Sequence, residues 1–321
     1  MIWLTWRQQR LEIVIAGAVM TLVSVFLLTT GSDMASAYRH MGVSVCLAHD
    51  ASPAACQNLA DAFQKRFSSV TDIITWLNFL PLVLGVLFSA PFVLDLEQGT
   101  YRLAWTQSVT RQRWLTVKLI LIMAAATFAA LCLTVLMTWW NTPLDHLGSR
   151  LNRSQFDFEG TVPVAYTVFA AALCLAAGSL LRRTVPAIGI TLVGYLAARV
   201  GMETFVGYGY LPPVTKHVPF SSAAGEPSPP ARADFFINAT ASIPKGIMRT
   251  CFGGSLNPPP PGSTAAQHVQ ACFAQHGVFA SVIYQPANRF WFFQGTESAI
   301  LLVPAGALLA LAVWSIRYRV T

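Results

Sequence analysis

Long apolar runs are the feature that most limits how this chain folds. The run from Leu11 to Thr30, LEIVIAGAVMTLVSVFLLTT, has Glu12 as its only charged residue. Several runs approach or reach the length of about 20 residues that an α-helix needs to cross a bilayer. Only 11% of the 321 residues are charged, against about 25% in soluble proteins. The chain therefore lacks the charge to cover a soluble surface, and we expect a polytopic membrane protein.

We predict an all-α fold with six spanning helices, which form a single transmembrane domain over residues 1–321. The predicted spans are approximately 11–30, 73–94, 116–140, 162–181, 185–206 and 298–316. The sequence ASA at 35–37 resembles a signal-peptidase site. The apolar run before it is longer than the roughly 7–15 residues of a signal sequence, so we interpret it as the first span.

The orientation follows from the distribution of Lys and Arg, which are dense on the short segments at one side of the predicted spans. Cytoplasmic loops carry this bias, so both termini are expected in the cytoplasm. The net charge of +7 then reflects orientation and contact with membrane lipids, and we expect no nucleic-acid partner. Segments 31–72, 141–161 and 207–297 are predicted to be extracytoplasmic. The last contains GEPSPP and NPPPPG, which favour irregular, turn-rich structure.

Four of the six cysteines lie in the predicted extracytoplasmic loops. Cys46 and Cys56 share the first loop, and Cys251 and Cys272 share the last. An oxidising exterior favours disulfides, and pairing within each loop is the simplest of three connectivities. We predict Cys46–Cys56 and Cys251–Cys272 bridges that staple loops without a core; the alternative is four free thiols.

Motifs for catalysis or phosphate binding are absent from the sequence. It contains neither a G-x-x-x-x-G-K-[ST] loop nor a G-x-S-x-G elbow, and its histidines lack H-E-x-x-H spacing. A metal site assembled across loops stays open, but solvated loop histidines are the simpler interpretation. We therefore expect no metal, no cofactor and no enzymatic activity in this chain.

Two opposite charges occur within the fifth predicted span. Arg199 and Glu203 are four residues apart, so they share a helical face and can form an ion pair. Ionisable residues inside a membrane are functional candidates. Since the span ends near Val206, both side chains are also able to reach water, and the two interpretations stay open.

The connector between the second and third spans is unusually aromatic and basic. Residues 94–114 read LDLEQGTYRLAWTQSVTRQRW, and the predicted cytoplasmic coupling segment is 95–115. One interpretation is a helix on the membrane surface, with aromatic rings at the headgroups and arginines on lipid phosphates. The other is a helix that presents side chains to a cytoplasmic partner. The side chains concerned are Tyr101, Arg102, Trp105, Arg111, Arg113 and Trp114.

This region, LEQGTYRLAWTQSVTRQRWLTVKL, resembles the cytoplasmic segment between the second and third helices of ABC-2 type transporter permeases. In that family an acidic residue, a Gly-Thr pair, a Ser/Thr-Arg element and a lysine follow in order. The matching residues are Glu97, Gly99, Thr100, Thr110, Arg111 and Lys118. MIWLTWRQQRLE at the start of the chain and YQPANRFWFFQGTES before the last span resemble actinobacterial-type members.

The resemblance implies the transmembrane subunit of an ATP-driven transporter in the plasma membrane. Two permease chains, expected as a homodimer, would bind two separate ATP-binding subunits that carry ATP and Mg. The expected cargo is a hydrophobic or amphipathic compound such as a drug, lipid or peptide, and the expected direction is export. Arg7 and Arg10 would lie at the same interface as the ATPase-coupling residues. Those coupling residues are Glu97, Gly99, Thr100, Arg102, Trp105, Thr110, Arg111 and Arg113.

Two other classes of function remain as alternatives. One is a membrane sensor or scaffold whose extracytoplasmic loops bind a ligand without transport. The other is a membrane enzyme with its site in segment 207–297, which the missing catalytic spacings argue against.

Overall fold

The computed structural model describes residues 2–48, 53–99, 110–206, 209–219, 233–241, 244–253 and 263–319. It is mostly helical, and the described residues include six helical segments long and apolar enough to cross a membrane, as predicted. These segments are Val14–His40, Asn58–Gln98, Gln112–Asp145, Val162–Leu181, Thr184–Thr204 and Ala287–Tyr318.

The described helices are numbered here in chain order. The first five are α1 (Ile2–His40), α2 (Val43–Ala48), α3 (Pro53–Trp76), α4 (Leu80–Gln98) and α5 (Arg111–Asp145). The next three are α6 (Arg153–Phe156), α7 (Val162–Leu181) and α8 (Thr184–Gly201). The last three are α9 (Lys245–Cys251), α10 (Thr264–Gln275) and α11 (Phe290–Arg319). A 3₁₀ segment, Leu77–Phe79, joins α3 to α4, and a π-helical segment, Met202–Val206, follows α8.

Residues 31–72, predicted as a disulfide-stapled loop without a core, are largely helical. There α1 continues to His40, and α2 and most of α3 follow. Helix α3 is amphipathic, with buried side chains at Cys56, Phe63, Phe67 and Ile74 and exposed residues between them. This spacing of seven, four and seven residues places them on one helical face, which packs against α1 and α2. The segment is too polar to be a span, but its periodicity is that of a helix.

Helix α7 forms the centre of the bundle and packs against α4, α5, α8 and α11. Its small residues allow close approach, as is common between membrane helices. A Cβ placed on Gly85 of α4 would lie 2.6 Å from the Cβ of Ala170. The peripheral helices instead expose apolar side chains; Val193 of α8 is 67% exposed and Val303 of α11 is 73% exposed. Such faces suit contact with lipid or with another chain.

The all-α prediction is wrong for segment 207–297, which contains a three-stranded antiparallel sheet. The strands are β1 (Val214–Pro219), β2 (Phe235–Ala241) and β3 (Phe279–Gln285), in the order β1-β3-β2. Val214 lies opposite Tyr284, and Phe235 lies opposite Gln285. In β3 the buried residues Ala280 and Val282 alternate with less buried ones, the period that a half-buried strand requires. Helices α9 and α10 pack against each other around Phe273.

Candidate functional site

At one end of the bundle, four helix ends meet. Helices α4 and α7 end there, at Gln98 and Leu181, and α5 and α8 begin there, at Arg111 and Thr184. We call this the Glu97 end. Helix α4 stops at Gly99, whose φ of +71° is the left-handed conformation that glycine adopts without a steric penalty. Residues 100–109, the centre of the predicted coupling segment, lie between the α4 and α5 ends and outside the described residues.

Glu97 joins α4 to the first residue of α8. Its Oε2 accepts hydrogen bonds from the backbone N–H of Thr184, at 2.8 Å, and from the Thr184 hydroxyl, at 2.5 Å. The first N–H groups of a helix have no partner within the helix, and the helix dipole favours an anion at this position. Although Glu97 is exposed, its carboxylate therefore anchors α8 to the end of α4.

A second contact holds α4 against α5. The Lys118 ammonium of α5 forms an ion pair with Asp95 of α4, and the Lys118 side chain is only 4% exposed. The same Nζ lies 4.9 Å from the ring centroid of Trp114, whose ring stacks on Phe92 at 5.8 Å. Because this pair is buried and flanked by aromatic rings, it tethers both helices that enter and leave residues 100–109.

The other predicted coupling residues fall into three groups. Thr110 is the N-cap residue of α5, accepts the Trp114 N–H at 3.1 Å and, like Arg113, is exposed. Thr100, Arg102 and Trp105 lie outside the described residues. Three arginines are placed only by their helices, without a described side chain; Arg111 opens α5, and Arg7 and Arg10 lie on α1.

Arg199 is the centre of a polar cluster at the opposite end of the bundle, which we call the Arg199 end. Its side chain is 11% exposed, and its Nη2 donates to Asn78 Oδ1 and to Asp157 Oδ2, at 2.7 Å each. The predicted partner Glu203 lies farther away, at 3.9 Å, and is 49% exposed. Arg199 is thus held by protein groups across the bundle, and Glu203 is a secondary partner.

The cluster connects two interruptions in the helices. Asn78 lies in the 3₁₀ segment between α3 and α4, and Glu203 lies in the π-helical segment after α8. The Tyr195 hydroxyl donates to the Asn78 carbonyl at 2.8 Å, and the Tyr166 ring lies 5.3 Å from the Arg199 guanidinium. Such interruptions are frequent at functional sites, since they give a helix local freedom to rearrange.

Gln294 fixes the last helix to the turn before α7. Its Oε1 accepts the N–H groups of Thr161 and Val162 at 3.0 Å each, and its Nε2 donates to the Phe156 carbonyl at 2.9 Å. The turn at Gly160, φ +67°, brings its backbone against this amide, and a Cβ there would lie 2.7 Å from Oε1. A glutamine before a span carries no sequence signal for this role, which depends on a contact more than 130 positions away.

The structure brings both predicted cysteine pairs together. Cys46 and Cys56 have Cα atoms 5.6 Å apart, and Cys251 and Cys272 have the same separation. This distance is typical of a disulfide. His276 lies beside the second pair, with all three potential ligand atoms within 4.8 Å of one another. Sulfurs bonded to each other offer no thiolate to a metal, so the disulfide is the arrangement that this geometry favours.

Comparison with known proteins identifies the family. The model of the family described as "ABC-2 membrane transporter related" matches residues 17–207, more than half of the chain. No curated protein matches, and no solved structure matches. Permeases of this family are the membrane components of transporters, and membership implies partnership with an ABC ATP-binding subunit. The chain therefore belongs to the ABC-2 membrane transporter related family, as an ABC-2 type permease that crosses the plasma membrane several times.

Proposed function

We propose that this chain is the transmembrane subunit of an ATP-driven exporter. Two copies form the pathway, and each binds one separate ATP-binding subunit that carries ATP and Mg. This chain itself holds no cofactor and catalyses no reaction. The cargo is a hydrophobic or amphipathic compound such as a drug, lipid or peptide, and this part rests on the family resemblance. The actinobacterial type rests on the resemblance of the two quoted segments, one at the start of the chain and one before the last span.

The observation that carries the proposal is the double tether at the Glu97 end. Residues 100–109 lie between two helix ends that the Asp95–Lys118 pair holds together. Glu97 lies in the last turn of α4, just before this stretch, and also binds the first residue of α8, Thr184. A partner that pushes on segment 95–115 would therefore move α4, α5 and α8 as connected elements. This is the mechanical property that a coupling segment between an ATPase and a pathway needs.

The proposed orientation places the Glu97 end and both termini in the cytoplasm. It is supported by the basic residues near this end, among them Arg113, Arg182 and Arg183, which are exposed. Arg7 and Arg10 of α1 would then lie on the same side as the docked ATP-binding subunit. Lipid headgroups would contact the remaining basic and aromatic residues of this side.

Ligand sensing is a second candidate function, and the segment that contains the sheet favours it. A cavity of about 550 Å³ lies among β1, β2 and β3, with Pro244 and Ile247 beside it. His217, His276, Thr240 and Ser281 supply its polar lining. The Ser281 hydroxyl lies 3.0 Å from His217 Nδ1. A sensor would bind its ligand here and would need no ATPase.

ATP hydrolysis by the purified complex distinguishes the two candidates. The tagged chain is purified by affinity chromatography together with any ATP-binding subunit that is bound to it. The complex is reconstituted into lipid vesicles, and its ATPase activity is measured with and without amphipathic compounds. We expect stimulation in the wild type and a loss of about tenfold in Glu97→Gln, the scale of a typical coupling free energy. Gln98→Ala, which changes the exposed neighbouring residue, should keep the stimulation. A chain that purifies without an ATPase would instead support the sensor.

A further inference from the structure

Two carboxyl groups share one arginine, Arg150, at the Arg199 end, separate from Arg199 itself. Asp145 is the last residue of α5, and Glu159 lies in the turn before α7. The Glu159 side chain is completely buried, and the Asp145 side chain is 14% exposed. Two acidic groups in such a setting need compensation, because burial of an ionised carboxylate is costly.

Arg150 is the cation that contacts both acids among the described residues. Arg150 binds Glu159 Oε2 through Nη2 at 2.5 Å and through Nε at 2.9 Å, and its Nε lies 3.4 Å from Asp145 Oδ2. The guanidinium also lies 4.2 Å from the centroid of the Phe290 ring. The charged groups that act on Asp145 are Glu159 and Arg150. If both acids were ionised, these three described side chains would together carry one net negative charge.

The second oxygen of each carboxyl lacks a donor. Asp145 Oδ1 and Glu159 Oε1 are both buried, without a hydrogen-bond partner among the described residues. Their other oxygens both lie on the Arg150 guanidinium, so the two carboxyl groups are side by side. Asn141, one turn earlier on α5, is buried as well, and its Nδ2 donates to neither. Two ionised carboxylates offer only acceptors, whereas a single added proton supplies a donor and removes the excess charge.

We propose that Asp145 and Glu159 hold one proton between them and form a proton-binding site on the Arg199 side of the membrane. A cavity of about 240 Å³ borders the site and is lined by Asp145, Arg150, Phe290 and Trp291. It gives the solution on that side access to Asp145. Release of the proton would leave two carboxylates side by side, each competing for Arg150.

The Asp145–Glu159 pair lies next to the other contacts that hold the Arg199 end together. The turn that carries Glu159 also carries Asp157, the partner of Arg199, and Gly160, which packs on Gln294. Loss of the proton would therefore loosen the contacts of α5, α8 and α11 with the start of α7. The pH on this side would determine how firmly that end of the bundle is held.

The pH dependence of unfolding tests the proposal. An unfolded carboxyl ionises near pH 4, whereas the folded pair keeps its proton, so the folded state binds one proton more above that pH. The equilibrium constant for unfolding should then rise by up to about tenfold per pH unit until the folded pair releases its proton. Unfolding by SDS in detergent micelles, measured from about pH 5 to about pH 9 on the full chain, should show this slope in the wild type. Asp145→Asn supplies a permanent donor and should lose that part of the slope. Asp72→Asn, at an exposed carboxyl of α3, should keep it.

Two further measurements keep the outcome decisive. The infrared band of a protonated carboxyl should be present in the wild type at neutral pH and reduced in Asp145→Asn. If that variant does not accumulate, Glu159→Gln tests the same pair. Equal pH slopes in the wild type and Asp145→Asn, or no protonated-carboxyl band in the wild type, would overturn the proposal. Stabilisation of the wild type by Ca²⁺ or Mg²⁺ that disappears in Asp145→Asn would also overturn it, because the pair would then bind a metal ion.

Discussion

Replacement of Arg199 by alanine should strongly destabilise this protein. Arg199 is 11% exposed and makes two hydrogen bonds of 2.7 Å, to Asn78 and to Asp157. Asp157 is 10% exposed, so the truncation leaves a carboxylate buried without its principal cation. Glu203 adds little to the stability, since it lies 3.9 Å away and is half exposed to solvent.

The magnitude follows from this arrangement. Each charge-assisted hydrogen bond contributes roughly 1.5–3 kcal/mol, and removal of one partner of a buried ion pair costs about 3–5 kcal/mol. The two figures are not added, because both include the cost of burying the Asp157 carboxylate after it loses Arg199. We expect the free energy of unfolding to fall by about 3–5 kcal/mol in Arg199→Ala.

SDS-induced unfolding of the purified chain in detergent micelles measures this loss. Glu203→Gln is the matched control, with an expected change of at most about 1 kcal/mol. The double variant Arg199→Ala/Asp157→Asn should regain part of the loss, since it also removes the charge of the carboxylate that has lost Arg199. An Arg199→Ala protein as stable as Glu203→Gln would refute the reasoning, because it would mean that Arg199 reaches water and depends on neither Asn78 nor Asp157.

Three further predictions concern the packing, the turn before α7 and the cysteines. Gly85→Ala should destabilise the protein by about 1–3 kcal/mol, because the new Cβ would meet Ala170, whereas Gly306→Ala, with no atom within 4 Å, should be neutral in the same unfolding assay. Gln294→Ala should cost roughly 1–3 kcal/mol through the unpaired N–H groups of Thr161 and Val162, and Gln98→Ala should not; equal stability of the two variants would contradict the role assigned to Gln294. Peptide mapping under non-reducing conditions should recover Cys46 linked to Cys56 and Cys251 linked to Cys272, and free thiols at these positions would show that the proximity does not lead to bond formation.

Apolar length predicted the spanning segments correctly but missed the polar helix α3 and the three-stranded sheet. Six apolar runs predicted six spanning segments, because a helix in lipid must satisfy its backbone internally and needs a minimum apolar length. The same focus on apolar length missed α3, whose buried positions recur with helical spacing in a polar sequence. It also missed the sheet, since Pro-rich stretches near β1, β2 and β3 dominate the composition of segment 207–297.

For the candidate site, too, the sequence predicted which residues stand out but not which partners they bind. The ordered Glu97, Gly99, Thr110 and Lys118 pattern indicated a special connector from sequence alone. It did not indicate that Glu97 binds Thr184 or that Lys118 binds Asp95, because these contacts cross between helices. For Arg199, the four-residue spacing predicted a pair with Glu203, the nearest acidic residue along the chain, whereas in the structure Arg199 binds mainly Asn78 and Asp157.

The membrane class, the number of spanning segments and the family-like connector could all be predicted from the sequence, since all three depend on local composition and spacing. Tertiary structure decided which polar groups share a charge or a proton. Arg150, Asp145 and Glu159 form one group only because the end of α5 meets the turn before α7. In the apolar interior of the bundle, a polar side chain is stabilised by the partner that the fold brings to it, and that partner can be any distance away along the chain.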